Sequence, residues 1–117
     1  MIKKMISIMC VVLTIIGVTS TSFAAKTPYI STSLTAQTYR MKSTIDVHDN
    51  DTTPDLVKMT ITVYFEDGTK EIKTTSTNIS DHLEYNRLVK DWAIIQVEYY
   101  AEVDGVILTD YKEIARI

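Results

Sequence analysis

Residues 92–114 read WAIIQVEYYAEVDGVILTDYKEI. Up to Val103 the side chains alternate. Ala93, Ile95, Val97, Tyr99, Ala101 and Val103 fall on one face; Trp92, Ile94, Gln96, Glu98, Tyr100 and Glu102 fall on the other. A two-residue period is the mark of a half-buried β-strand, because successive Cβ atoms point to opposite sides of a sheet. Asp104-Gly105 then turns the chain. Asp-Gly between two such runs predicts a type I′ hairpin, which needs positive φ at both central residues. A two-residue loop pairs Val103 with Val106, Ala101 with Leu108 and Ile95 with Ile114, so apolar residues meet at both ends. It also sets Asp110 opposite Tyr99 and Lys112 opposite Val97, where charge meets an apolar face. A bulge in the return strand would relieve that conflict.

Upstream, Lys58–Phe65 repeats the pattern. Met59, Ile61, Val63 and Phe65 form one face, and Lys58, Thr60, Thr62 and Tyr64 the other. A second Asp-Gly, Asp67-Gly68, predicts another type I′ turn. The residues after it, Thr69–Ser76, suit a strand but carry almost no apolar face; their lysines mark an edge strand. Two more strands are expected at Ile30–Tyr39 and Arg40–Val47, the second with Met41, Ser43, Ile45 and Val47 on a shared face. For Asn78–Asp91 two readings stand: a short helical turn capped at Ser80 or Asp81, with Glu84 completing a capping box, or a short strand near Leu83–Tyr85. Six or seven short strands and no sustained 3.6-residue period predict an all-β, antiparallel sandwich.

The first residues differ in kind. Lys3 and Lys4 precede an uncharged apolar run from Met5 to Val18, and a hydroxyl-rich stretch leads to Phe23-Ala24. Ser22 and Ala24 supply the small residues at −3 and −1. This is the three-part pattern of a secretory signal peptide, with cleavage expected after Ala24. A retained membrane anchor needs about 20 mostly apolar residues, and the hydroxyl-rich last third argues against it. A lipoprotein reading fails because Cys10 lies inside the apolar run. The predicted organisation is therefore a signal peptide, 1–24, and one domain, 25–117. Membrane contact is expected only in transit, and the destination is extracellular.

Charge and cysteine usage bound the chemistry. The 117 residues carry 12 Lys+Arg and 15 Asp+Glu. Without residues 1–24 there remain 10 basic and 15 acidic side chains, a net charge of −5. A net-acidic domain with no basic cluster does not suit nucleic acid. Cys10 is the single cysteine, so the processed domain has no disulfide, thiol nucleophile or thiolate metal site. No cofactor motif is present.

The strand count and the final long hairpin resemble the immunoglobulin or fibronectin type III class of sandwich, over about 85 residues. Together with the Lys-Lys signal segment and the small, cysteine-free product, they resemble the small secreted sandwich proteins of Gram-positive bacteria. The resemblance implies an immunoglobulin-like fold. It departs from antibody domains in lacking their inter-sheet cysteine pair, and in placing Trp92 at the start of the penultimate strand rather than in the third.

Candidate sites are few. Asp49, Asp51, Thr53 and Asp55 fall at positions 1, 3, 5 and 7 of a calcium loop, within an acidic stretch at 46–55. Pro54 stands where that loop needs Gly, and Thr60 where it needs Glu; a solvated turn-rich loop fits better. His48 and His82 belong to no zinc-binding motif. Glu98 and Glu102 share a strand face roughly 13 Å apart, too far for a glycosidase pair. No serine sits in a nucleophile motif. A non-catalytic protein is expected. The remaining lead is aromatic: if Lys58–Phe65 runs antiparallel beside Trp92–Val103, then Tyr64, Trp92 and Ile94 form an exposed patch opposite the core. The competing reading has Trp92 and Ile94 closing the end of the sandwich or covered by Asn78–Asp91. An exposed patch of that kind suits a protein partner or a cell-surface glycan. The expected role is extracellular binding; a small secreted effector such as a toxin, bacteriocin-like protein or enzyme inhibitor is the alternative.

Overall fold

A computed structural model describes residues 27–116; the signal segment and the Ala24 cleavage site lie outside them. Seven strands follow one another: β1 Tyr29–Ala36, β2 Arg40–His48, β3 Leu56–Phe65, β4 Lys70–Thr77, β5 His82–Leu88, β6 Trp92–Val103 and β7 Val106–Ala115. They form two antiparallel sheets, ordered β1-β2-β5 and β4-β3-β6-β7. The fold is the all-β antiparallel sandwich that alternation predicts and that the immunoglobulin resemblance implies. In the constant-type immunoglobulin arrangement the fourth strand joins the sheet of the first, second and fifth. Here β4 stays beside β3, so the second sheet has four strands and the first has three.

The core lies between the sheets. From the smaller sheet come Met41, Ile45 and Val47. From the larger come Val57, Met59, Ile61 and Val63 of β3, and Ile95, Val97, Tyr99, Ala101 and Val103 of β6, all buried. Phe65 is partly buried against them. These are the odd-numbered positions of each strand, as the two-residue period requires. One polar group joins this layer. Ser43 of β2 is fully buried, and its Oγ lies 2.6 Å from the Tyr99 hydroxyl of β6. Both also reach the Ser33 carbonyl of β1, at 3.0 and 2.9 Å.

The long hairpin has the expected register, with Val103↔Val106, Ala101↔Leu108 and Ile95↔Ile114. Asp104 and Gly105 have φ of 52° and 78°, as a type I′ turn demands. No bulge interrupts β7. Its inward charge is accommodated because β7 is an edge: Thr32 of β1 donates to Asp110 Oδ2 at 2.5 Å across the open side of the sandwich. The opposite side is closed in a similar way, by Arg87 of β5 on Glu71 of β4 at 3.1 Å.

The other Asp-Gly turn differs from expectation. Tyr64 pairs with Lys70, Gly68 N–H donates to Phe65 C=O at 3.0 Å and Phe65 N–H to Thr69 C=O at 2.9 Å. Of the pair only Gly68 has positive φ, 92°. The loop is thus a three-residue turn ending in a left-handed glycine. Asp67 prefers another bond: its Oδ1 accepts from Thr69 N and Oγ1, at 2.9 and 2.6 Å. Those bonds also hold its carboxyl below the usual aspartate range. In Asn78–Asp91 the strand reading holds, extended to His82–Leu88.

Candidate functional site: the outer face of the four-stranded sheet

Residues directly opposite in an antiparallel pair point to the same side, so the register maps the outer face of the larger sheet. Read across β4, β3, β6 and β7, its rows are Lys70, Tyr64, Ile94, Ala115; then Ile72, Thr62, Gln96, Glu113; then Thr74, Thr60, Glu98, Tyr111; then Ser76, Lys58, Tyr100, Thr109. Beyond them come Leu56, Glu102 and Ile107. Tyr64, Ile94 and Tyr100 are half-buried among their neighbours, whereas Ile72, Ile107 and Tyr111 are 56%, 57% and 39% exposed.

Tyr64 and Ile94 are therefore neighbours on an outer face, as expected. Trp92 is not with them. It is 4% exposed and belongs to the core. The cause is local: Tyr64 pairs with Ile94 but Phe65 pairs with Trp92, so Ala93 is an extra residue and the register shifts there. A bulge of one residue reverses the side on which the next residue emerges. The indole then turns inward, donates from Nε1 to Gln37 C=O at 2.9 Å, and lies under the Arg116 guanidinium, 4.5 Å from ring centroid to Cζ. Trp92 closes the end of the sandwich and is withdrawn from the outer face.

Sequence reading passed over Tyr100, Tyr111, Ile72 and Ile107. The signal for Tyr100 was its place in the same alternation as Ile94; Tyr111, Ile72 and Ile107 needed the pairing of β7 and β4 to show that they share a plane.

The polar groups of this face are organised around Glu113. Its Oε1 accepts from the Tyr111 hydroxyl at 2.7 Å and from Gln96 Nε2 at 3.3 Å. Partial burial, and the hydrogen bond that Tyr111 donates, raise the Tyr111 pKa above the ordinary phenol value. The Lys58 ammonium lies over the Tyr100 ring, 5.2 Å from its centroid, and that of Lys70 over Tyr64 at 5.9 Å.

The acidic stretch does other work. Asp46 Oδ1 accepts from His82 Nδ1–H at 2.6 Å, and Glu84 stands 3.7 Å from His82 Nε2. This pair lies on the outer face of the smaller sheet, with a carboxylate rather than a serine on its far nitrogen, so it is not a nucleophile's relay. Tyr29 stacks on His48, ring centroids 4.8 Å apart. Asp104 of the hairpin accepts from Asp51 N at 2.8 Å and Thr52 Oγ1 at 2.5 Å, docking the 49–55 loop onto the β6–β7 turn. No group of three or more His, Cys, Asp or Glu among the described residues is arranged to hold a metal ion.

No family model matches the chain, and no curated protein matches it. Among solved structures it is similar to a Bacteroides fragilis protein described provisionally as a beta-galactosidase, at 15% identity and a TM-score of 0.37. The match covers 76% of this chain and 16% of that one.

Proposed function

We propose that the protein is an extracellular, non-catalytic binding module whose contact surface is the outer face of β4-β3-β6-β7. The observation that carries this reading is the placement of Tyr64, Tyr100 and Tyr111 with Ile72, Ile94 and Ile107 on that one sheet face. A solvent-facing antiparallel sheet is ordinarily polar on its outer side. Large side chains grouped there, with tyrosines that offer both an apolar ring and a hydroxyl, mark a contact surface. The signal-peptide pattern at residues 1–24 supports an extracellular destination.

The test is retention of the purified protein on Gram-positive cell-wall sacculi and on a glycan array, beside a Tyr64→Ala/Tyr111→Ala variant. Both positions are outside the core, so the variant keeps the wild-type circular dichroism. Retention of the wild type and its loss in the folded variant support the reading. Retention that the variant shares equally overturns the assignment of this face.

A further inference from the structure

The charges on the outer face of the larger sheet are sorted. On β4 and β3 the charged groups are Lys58 and Lys70, with no carboxylate; on β6 and β7 they are Glu98, Glu102 and Glu113, with no cation, among the residues that the register places on this face. Among the described residues Lys58, Lys70, Glu98 and Glu102 form no ion pair within the chain. The two lysines rest over tyrosine rings instead. One half of the face is therefore cationic and the other anionic, with exposed Ile72, Ile107 and Tyr111 beside them.

Such a surface is complementary to itself. We propose that two copies of this chain pack through this face, about a two-fold axis that runs along the strands. The proposal rests on the reading of this face as the contact surface and names its partner. Rotation about an axis parallel to the strands lays β4 over β7 of the second copy and β3 over β6. Lys58 then sits over Tyr100 of the second copy, between its Glu98 and Glu102. Lys70 falls over Ala115 and beside Glu113, Tyr64 over Ile94, and Ile72 over Glu113 and beside Tyr111. Each contact occurs twice, as two-fold symmetry requires. The other in-plane axis, across the strands, would lay the cationic half on the cationic half and the anionic half on the anionic, with Glu98 on Glu98 about the middle row, which like-charge repulsion disfavours. Aligned packing of two sheets is a standard geometry.

The size fits a modest dimer. Four strands at ~4.8 Å spacing and five rows at ~6.7 Å span about 640 Å² on each copy, so about 1,300 Å² in total, above the roughly 1,000 Å² that a specific interface should clear. A polyanion would meet three glutamates and a uniformly basic protein two lysines. A second copy satisfies both halves.

The experiment is sedimentation equilibrium of the purified chain, with two charge-reversed variants: Lys58→Glu/Lys70→Glu, acidic on both halves, and Glu98→Lys/Glu102→Lys/Glu113→Lys, basic on both halves. Wild type is expected to dimerise, with its dissociation constant rising at least about tenfold between low and high salt. Each variant alone is expected to be monomeric, and an equimolar mixture to dimerise again. Ile72→Lys, on the exposed edge strand, weakens the dimer without touching the core and serves should the triple variant not fold. Wild type that stays monomeric at millimolar concentration in low salt overturns the proposal; so does equal dimerisation of both variants, or a mixture of folded variants that does not pair. Monomeric wild type that still binds sacculi or glycans through Tyr64 and Tyr111 sinks the pairing and leaves the contact-face reading standing.

Discussion

The Tyr99 hydroxyl stands 2.6 Å from Ser43 Oγ in the middle of the sandwich, one group from each sheet. With the Ser33 carbonyl they make a triangle of three oxygens that shares two protons, because a carbonyl only accepts. One hydroxyl donates to the carbonyl and the other to its fellow. Tyr99→Phe leaves Ser43 and Ser33 bonded to each other and is expected to cost about 1 kcal/mol in urea denaturation. Burial also raises the Tyr99 pKa, so the fold favours its protonated form. That stability is fully present below the ordinary phenol pKa of about 10 and is lost as pH rises above it. Tyr99→Phe is expected to flatten the alkaline fall in melting temperature, leaving the share due to Tyr111. An unchanged alkaline profile would show that Tyr99 is not the group responsible.

His82 is governed by the opposite side of the pH scale. Its hydrogen bond to Asp46 raises its pKa most; burial opposes this, and the charges of Asp46 and Glu84 add to the rise. The folded state therefore favours imidazolium. The stabilisation is fully present below about pH 6.5 and disappears as pH rises through the raised value. The imidazole is half exposed, so the effect is modest. Proton NMR should place the His82 midpoint above that of a free histidine, and Asp46→Asn should bring it down. A midpoint that does not move with Asp46→Asn refutes the coupling.

Trp92 is a folding residue. Trp92→Ala removes a buried indole and its bond to Gln37, and is expected to cost about 3–5 kcal/mol, visible as a large drop in melting temperature. Wild-type fluorescence should resist quenching by acrylamide. Ready quenching would return the indole to the surface.

Val97→Asp is expected to abolish folding, because Val97 is fully buried between the sheets and no cation among the core residues meets a new carboxylate. A cooperative transition near the wild-type temperature would place the core elsewhere.

Asp104 has two tasks, a positive φ in the turn and acceptance of bonds from Asp51 and Thr52. Asp104→Asn tolerates the turn and keeps one acceptor; Asp104→Ala loses both. The expected order of stability is Asp, then Asn, then Ala, the last lower by about 1–2 kcal/mol. Equal losses for Asn and Ala would show that the turn does not discriminate.

Where alternation was uninterrupted, the fold was legible. Met59 through Val63 and Ile95 through Val103 declare their faces, and Asp104-Gly105 sets the hairpin register. Asp110 was legible as a conflict but not as its solution, since Thr32 is 78 residues away in the chain. The Asp67-Gly68 turn misled because a side-chain bond to Thr69 competes with the two-residue loop. Tyr64 and Ile94 could be placed; for Trp92 the patch and the end of the sandwich both stood open, because nothing in Trp92-Ala93-Ile94 announces a register shift. The proposed contact face as a whole depends on which strands are neighbours, and that is a property of the sheet rather than of any one segment.

The extra residue at Ala93 confines all slack in β6 to its first turn of pleat. A deletion there would let Phe65 and Tyr64 keep their partners and leave every later side chain on its own side. A deletion anywhere from Ile95 to Val103 would send half the hydrophobic layer into water. Natural length variation in this strand should therefore be tolerated at its entrance alone, next to the carbonyl of Ala93 that already anchors Arg116 N–H at 2.9 Å.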